Sequence, residues 1–292
     1  MSFTIMTDTS ANLPEEYLRR HEIRTIPYPF LIDGRELSED FVFEGKRFYD
    51  DMRAGKIVTT SQISPQRYYD FFRSELEQGR DVLFVSMSSG ISGSYNSACI
   101  AAEDLREEFP ERKLRLVDAL GASLGEGLLV VWAVHDRRKG LSVDETADNL
   151  LGRRYGMCQV FTVDDLRYLK RGGRLSNLAA AVGTVLQIKP LLKGDNEGKI
   201  VCFEKLRGRK RAIEAMAEKF NACALTQPGQ TIGIAHADCE GDLNYLVSLL
   251  RRFRQGLDIM SVCYEPVTGS HVGPGTLALF FEGSRDFRRA AL

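Results

Sequence analysis

The stretch DVLFVSMSSGISGSYNSACIAAEDLREEF, residues 81–109, joins an apolar run to a helical run through a turn rich in serine and glycine. Its first residues are mostly apolar, which is typical of a buried strand. A strand that passes through a short turn into a helix is the repeating element of a parallel sheet. The stretch therefore predicts an α/β fold, and it raises the question of why the turn carries so many hydroxyl groups.

Strands and helices alternate on both sides of this stretch. Ser64-Pro65 opens one predicted helix, and Ser142 with Glu145 forms a capping box for another. After about residue 156 the pattern becomes mixed, and a turn at GDNEG joins two strands. We therefore predict two α/β domains, residues 1–156 and 157–292, the first with a mainly parallel sheet. Other predicted elements are an interrupted edge strand at IRTIPYPFLID (23–33) and a small-residue helix at NLAAAVGTVLQ (177–187).

Composition and charge narrow the class of protein. The 292 residues include 39 lysines and arginines against 40 aspartates and glutamates, so no basic excess indicates nucleic acid as a partner. The six cysteines form no Cys-x-x-Cys pair and lie beside no histidine at metal-ligand spacing, so we expect no metal site. Neither a signal peptide nor a membrane-spanning run is recognisable. These features predict a cytoplasmic protein without integral membrane insertion.

The serine-rich turn is the first candidate site. The unpaired amides and the dipole at a helix start favour an anion, and Gly90 and Gly93 let a ligand approach the backbone. Ser92 and Ser94 add hydroxyl donors, so the turn suits a carboxylate or a phosphate. Simple helix capping remains the alternative. The turn lacks the phosphate-loop and dinucleotide-binding glycine patterns, and it is not a Gly-x-Ser-x-Gly nucleophile elbow.

Two further stretches carry hydroxyl or imidazole groups. VTTSQISP, residues 58–65, contains Thr60 and Ser61, which local reasoning explains better as turn and capping residues than as a binding site. GSHVGPG, residues 269–275, contains His271 among three glycines and a proline, so we expect this histidine in a tight loop. Such a histidine can donate to an anion or act as a base, although a lone histidine is more often structural.

Charged stretches in the second half are a third group of candidates. Arg174 follows the Gly-Gly pair of YLKRGGRLS, and Arg207 lies in EKLRGRKRA. Arginines near a glycine turn suit contact with phosphate or carboxylate, while a solvated basic face is the alternative. Asp8 and Asp118 each end a predicted strand, and capping explains them.

The ordered set of motifs resembles the DegV family over essentially the whole chain. The motifs are TDTSANLP, TTSQISP, SSGISGSYNSA, VDALGASLGEG, LRYLKRGGRLS, IKPLL, KLRGRKRA and HVGPG. The resemblance implies two α/β domains with a long-chain fatty acid in an apolar tunnel between or beside them. It also implies that the chain is a non-catalytic, acyl-binding subunit of a bacterial fatty acid kinase. A separate kinase subunit would then make acyl phosphate for phospholipid synthesis.

The resemblance also implies roles for particular residues. Thr60 and Ser92 resemble the hydroxyls that hold the carboxylate, with Ser61 and the Gly93 backbone adjacent and His271 nearby. Arg174 and Arg207 resemble arginines for kinase engagement or phosphoryl contact. No cofactor or metal is implied, and a transient membrane contact is compatible with the lipid ligand. The chain departs from the family pattern at Asp8-Thr9-Ser10-Ala11-Asn12, Asp40-Phe41 and Asp118-Ala119, and none of these departures touches the proposed carboxylate site.

Two alternative functions remain open at this point. Ser92 and His271 could form a nucleophile–base pair for acyl transfer, but no third residue that would orient the histidine is evident. A lipid-responsive regulatory protein is the other alternative. The preferred length and unsaturation of the acyl chain depend on a tunnel whose walls come from distant segments.

Overall fold

The computed structural model describes residues 3–36, 41–174, 188–225 and 229–289. The chain divides into two compact units. The first unit comprises Met1–Pro29 and Thr60–Arg154, and the second comprises Phe30–Thr59 and Tyr155–Leu292. The boundary predicted near residue 156 lies close to one of these divisions, whereas the assignment of Phe30–Thr59 to the second unit was not predicted. The helix predicted at residues 177–187 lies outside the described residues.

The first unit alternates strands and helices as the sequence indicates. Pro65 occupies the first position of the helix α3 (Pro65–Leu76), and Ser64 caps this helix by accepting the Arg67 amide. The predicted capping box of Ser142 and Glu145 is also present. In chain order the elements of this unit are β1 (Thr4–Asp8), α1 (Glu15–Arg20), β2 (Arg24–Ile26), α3 (Pro65–Leu76), β6 (Val82–Ser86), α4 (Ser94–Glu108), β7 (Leu114–Asp118), α5 (Leu124–Arg138) and α6 (Val143–Arg153). The elements that lie between β2 and α3 in the chain are described with the second unit.

The sheet of the first unit has the order β2-β1-β6-β7, and all its pairings are parallel. The prediction of a mainly parallel sheet is therefore confirmed. β1 and β6 are buried along their whole lengths, which is expected for central strands of a parallel sheet covered on both faces. The chain leaves β1 towards β2 on one side and returns to β6 on the other. The carboxyl ends of β1 and β6 thus flank a topological switch point, where α/β sheets commonly bind ligands.

Aromatic packing stabilises one side of this sheet. Tyr68 and Phe72 stand one helical turn apart on α3 and pack with Phe84 of β6, with ring centroids 5.1–5.6 Å apart. All three side chains are completely buried. The i, i+4 spacing of Tyr68 and Phe72 places both rings on the inward face of this helix.

The second unit is built on a mixed sheet of order β10-β9-β8-β13-β11-β12. β11 and β12 pair in parallel, and the other pairings of this sheet are antiparallel. Its elements after the first unit are β8 (Met157–Thr162), α7 (Arg167–Arg171), β9 (Ile188–Gly194), β10 (Ile200–Arg207), α8 (Arg209–Cys223), β11 (Thr231–His236), α9 (Glu240–Phe253), β12 (Asp258–Cys263), α10 (Pro266–Val272), β13 (Leu277–Glu282) and α11 (Asp286–Arg289).

The interrupted edge strand predicted at residues 23–33 forms two separate strands. β2 is indeed an edge strand of the parallel sheet, but β3 (Phe30–Ile32) joins β4 (Arg35–Glu36) and β5 (Val58–Thr60) in a small sheet of order β4-β3-β5. Pro27 and Pro29 separate the two strands because neither can donate a ladder hydrogen bond. The helix α2 (Gly45–Arg53) lies in the second unit. Its Tyr49 hydroxyl donates to the Tyr264 carbonyl at 2.8 Å, which joins the helix to the rest of that unit.

Candidate functional site

The serine-rich turn lies at the carboxyl end of β6 and leads into α4. The Ser88 carbonyl accepts the amides of Ile91 and Ser92, at 3.2 and 3.1 Å, which closes the turn. The Ser88 amide donates to the Gly121 carbonyl at 2.8 Å, and this bond fixes the start of the turn. α4 begins at Ser94 directly after Gly93, so the positive end of its dipole faces the loop. The turn therefore combines a rigid backbone with the donors that an anion requires.

The hydroxyl loop of residues 60–64 lies beside this turn in the first unit. The backbone amide of Ile63 donates to the Ser94 hydroxyl at 3.1 Å, and the side-chain Nε2 atom of Gln62 lies 3.5 Å from the Ser97 hydroxyl. A Cβ at Gly93 would stand 2.1 Å from the Gln62 Oε1 atom, so only glycine allows this close approach without a shift. The structure thus brings the loop that carries Thr60 and Ser61 next to Ser92 and Gly93.

The Ser92 hydroxyl is half-buried and held on two sides. Its oxygen accepts the Ser94 amide at 3.2 Å and lies 3.2 Å from the Tyr28 hydroxyl oxygen. Tyr28 is 5% exposed, and burial together with the charge of Asp8 raises its pKa well above the ordinary value. The partners of Ser92 within its unit are therefore neutral groups at ordinary pH, and neither is a base that would activate a nucleophile.

A buried acidic pair lies at the end of β1, and sequence reasoning missed it. The Ser10 hydroxyl contacts both the Asp8 carboxyl group and Glu126 Oε2, the latter at 2.8 Å. Burial raises the pKa of Asp8 to about 6, because the charged carboxylate is removed from water. Asp8 also accepts the Met87 amide at 3.3 Å, which connects the pair to the end of β6.

Asp118 supports the turn from the neighbouring strand. Its carboxylate accepts the Ser89 amide at 3.2 Å, the Ser89 hydroxyl at 2.6 Å and the Leu120 amide at 3.0 Å. Asn12, Leu120 and Ser123 each have a φ of 53°, an uncommon conformation for residues other than glycine. The Asn12 side chain donates to the Ser123 hydroxyl at 3.2 Å. The predicted capping is found at Asp8, which accepts the Ser10 amide at 2.9 Å, whereas Asp118 orders the turn through Ser89 and Leu120.

His271 lies in the second unit, and the predicted tight loop around it is wrong. It occupies the last turn of α10, which begins at Pro266 and is capped by Glu265 through the amides of Val267 and Thr268. The proline at the first helical position and the acidic cap start a helix that continues through the glycine-rich stretch. Only Gly273, with a φ of 80°, ends it.

The structure brings His271 and Arg174 together around one glycine. A Cβ at Gly172 would lie 2.1 Å from His271 Nδ1, and the Arg174 guanidinium donates to the Gly172 carbonyl. Burial and the positive charges of Arg174 and Arg171 lower the pKa of His271 to about 4. The imidazole is therefore neutral near pH 7, beside two permanent cations. Arg207 is exposed at the end of β10, and the described contacts do not join it to this pair.

Other site types find little support among the described residues. Within these residues, no three histidine, cysteine, aspartate or glutamate side chains meet as metal ligands. All six cysteines are free thiols. No helix in the described ranges has both the length and the apolar character needed to cross a membrane.

Comparison with known proteins gives the family of this chain. The model of the DegV family, described as "Uncharacterised protein, DegV family", matches residues 2–284. A DegV domain-containing protein of Clostridium perfringens is 37% identical over 283 residues, with 96% of this chain and 97% of that protein covered. The chain therefore belongs to the DegV family, and the resemblance drawn from its motifs is confirmed.

Solved structures of relatives share the fold. The fatty acid binding DegV family protein of Streptococcus agalactiae has a TM-score of 0.83 and 30% identity, covering 96% of this chain and 98% of its own. DegV of Bacillus subtilis, a fatty acid binding protein, has a TM-score of 0.82 and 27% identity, covering 96% and 98%. The predicted α/β fold of two parts is thereby confirmed, and both of these relatives are described as fatty acid binding.

Proposed function

We propose that this chain binds a long-chain fatty acid, whose carboxylate is held at the serine-rich turn of the first unit. The observation that carries the proposal is the clustering of hydroxyl donors at the start of α4. Ser92 and Gly93 adjoin the loop of Thr60 and Ser61 through Gln62 and Ile63. Relatives of the same fold that are described as fatty acid binding support the choice of ligand.

The chemistry of this site suits a carboxylate with an apolar tail. A carboxylate removed from water needs hydrogen bonds, and hydroxyls with helix amides supply them. Each buried CH₂ of the tail contributes about 0.8 kcal/mol, so a long tail dominates the affinity. We propose that the tail occupies an apolar tunnel, and that slow release into water makes the chain a carrier.

We further propose that the chain is a non-catalytic subunit that presents the fatty acid to a cytoplasmic kinase subunit. A carboxylate oxygen would attack the γ-phosphorus of ATP, so that acyl phosphate forms and ADP leaves. Neutral donors preserve the nucleophilicity of the carboxylate better than a bidentate arginine clamp would. His271 with Arg174, and separately Arg207, are the proposed groups for carboxylate and phosphoryl contact.

Ligand binding is tested first by native mass spectrometry of the gently purified protein. We expect an added mass in the range of a C14–C18 fatty acid, and Thr60→Ala with Ser92→Ala to reduce its retention about tenfold or more. Ser74→Ala is the matched control, because the Ser74 hydroxyl donates to the Phe71 carbonyl on α3. A folded protein that neither carries nor takes up fatty acid would disprove the proposal.

The kinase role needs its own measurement. With a fatty acid kinase catalytic subunit, ATP and the loaded protein, we expect acyl phosphate, and Arg174→Ala and Arg207→Ala to lower its formation while fatty acid stays bound. Acyl phosphate formation that is equal in the variants would remove the arginines from this role. Hydrolysis or transfer of an acyl group by the chain alone, with labelling of Ser92 by a fluorophosphonate, would instead support the acyl-transfer alternative.

A further inference from the structure

Tyr28 is placed rigidly beneath the serine-rich turn. It lies between Pro27 and Pro29, whose rings fix the local backbone, and its amide donates to the Thr9 hydroxyl at 3.1 Å. The side chain is 5% exposed, and its hydroxyl oxygen lies 3.2 Å from that of Ser92. Nothing in the sequence motifs pointed to this tyrosine, and the proposed carboxylate site does not include it.

The hydrogen bonds at Ser92 determine where its proton goes. Its oxygen accepts the Ser94 amide at 3.2 Å, which uses one of its two lone pairs. A phenol is a stronger proton donor than an aliphatic hydroxyl, so the favoured direction is from Tyr28 to the second lone pair of Ser92. With both lone pairs occupied, Ser92 retains its own O–H as a donor for a further group.

We infer that Tyr28 is a positioning residue that orients the Ser92 hydroxyl as a proton donor towards the ligand carboxylate. The inference rests on the proposed function and deepens it. It states that the Ser92 hydroxyl donates the hydrogen bond to the carboxylate and that Tyr28 holds this hydroxyl in the required orientation. Tyr28 itself does not touch the ligand in this scheme. Because burial and Asp8 raise the pKa of Tyr28 well above its ordinary value, the donor persists at physiological pH.

Tyr28→Phe tests the inference in delipidated protein, with palmitic acid and hexadecanol as probes. The two probes share a tail, so their affinity ratio isolates the carboxylate. We expect Tyr28→Phe to weaken palmitic acid binding about tenfold and to change hexadecanol binding less than about twofold. Tyr69→Phe is the control. The Tyr69 hydroxyl of α3 contacts Glu108 of α4 at the surface of the same unit, so its removal should leave both affinities unchanged.

A double-mutant cycle separates positioning from a general packing effect. If Tyr28 acts through Ser92, the double variant Tyr28→Phe/Ser92→Ala binds palmitic acid as weakly as Ser92→Ala alone. Independent, multiplicative losses would overturn the inference, as would equal losses for acid and alcohol. Wild-type protein that binds no palmitic acid would contradict the proposed function itself, whereas wild-type binding that Tyr28→Phe leaves intact would contradict only the role of Tyr28.

Discussion

The two units offer an anion two different environments. In the first unit the donors are neutral hydroxyls and amides, and the buried acids Asp8 and Glu126 lie at the end of β1. In the second unit a neutral imidazole, His271, lies beside the cations Arg171 and Arg174. Neutral donors hold a carboxylate without greatly reducing its reactivity, whereas fixed positive charge suits a group whose negative charge increases, such as a phosphoryl group in transfer. The division of roles that we propose for the two units rests on these chemistries.

Substitution of one glycine in each unit should give the largest difference in the free energy of unfolding. Gly273 has a φ of 80°, and a Cβ there would lie 2.3 Å from Tyr168 Cδ2. We expect Gly273→Ala to lower the free energy of unfolding by about 3 kcal/mol, since strain and overlap add. Gly93 has a φ of −75° and meets only the end of the flexible Gln62 side chain, so Gly93→Ala should cost less than about 1 kcal/mol. Urea denaturation followed by circular dichroism measures both, and equal losses would contradict the comparison.

Asp8 should give the first unit a distinct pH dependence. Its pKa is about 6 in the folded protein against 3.8 for an unperturbed side chain. Its raised pKa contributes stability that is complete below about pH 3.8 and is lost as the pH rises through 6. The effect amounts to at most about 3 kcal/mol, at about 1.4 kcal/mol per pKa unit.

Asp8→Asn tests this pH dependence. The difference in stability between variant and wild type should increase in favour of the variant from pH 4 to pH 6.5. The single tryptophan, Trp132 on α5, follows unfolding of this unit by fluorescence. Asn12→Ala, also at this sheet edge, is a control without an ionisable group. A difference that is independent of pH would show that Asp8 titrates at its ordinary value.

His271 should titrate in the opposite sense. Its pKa of about 4 lies below the ordinary 6.5, so its contribution to stability is present above pH 6.5 and is lost as the pH falls through 4. Arg171→Gln removes one of the charges that lower this pKa and should raise it by less than about one unit. NMR titration of the imidazoles, with His271→Gln to assign the resonance, measures both values. A pKa near 6.5 in the wild type would contradict the buried, cationic environment.

The candidate site was predictable only in part. The hydroxyls at residues 60 and 92 lie in short motifs, so the sequence marked them and the family resemblance connected them. Tyr28 lies 64 residues from Ser92, and Glu126 lies 116 residues from Ser10. Neither pair shares a motif, and a tyrosine between prolines or a glutamate in an apolar helix has an ordinary local explanation. The conformation of His271 was misjudged because glycines suggested a loop where the proline and the acidic cap start a helix.

By itself, the sequence determined the alternation of strands and helices, the parallel sheet of the first unit, the capped helix starts and the family. These features are encoded by residues close in the chain, through periodicity, capping and turn chemistry. Only the tertiary structure decided that Phe30–Thr59 belongs to the second unit, that the Ser10 hydroxyl contacts both Asp8 and Glu126, and that the Tyr28 hydroxyl lies within hydrogen-bond distance of Ser92. Such features depend on which distant side chains packing brings within hydrogen-bond distance, and local sequence patterns do not encode those distances.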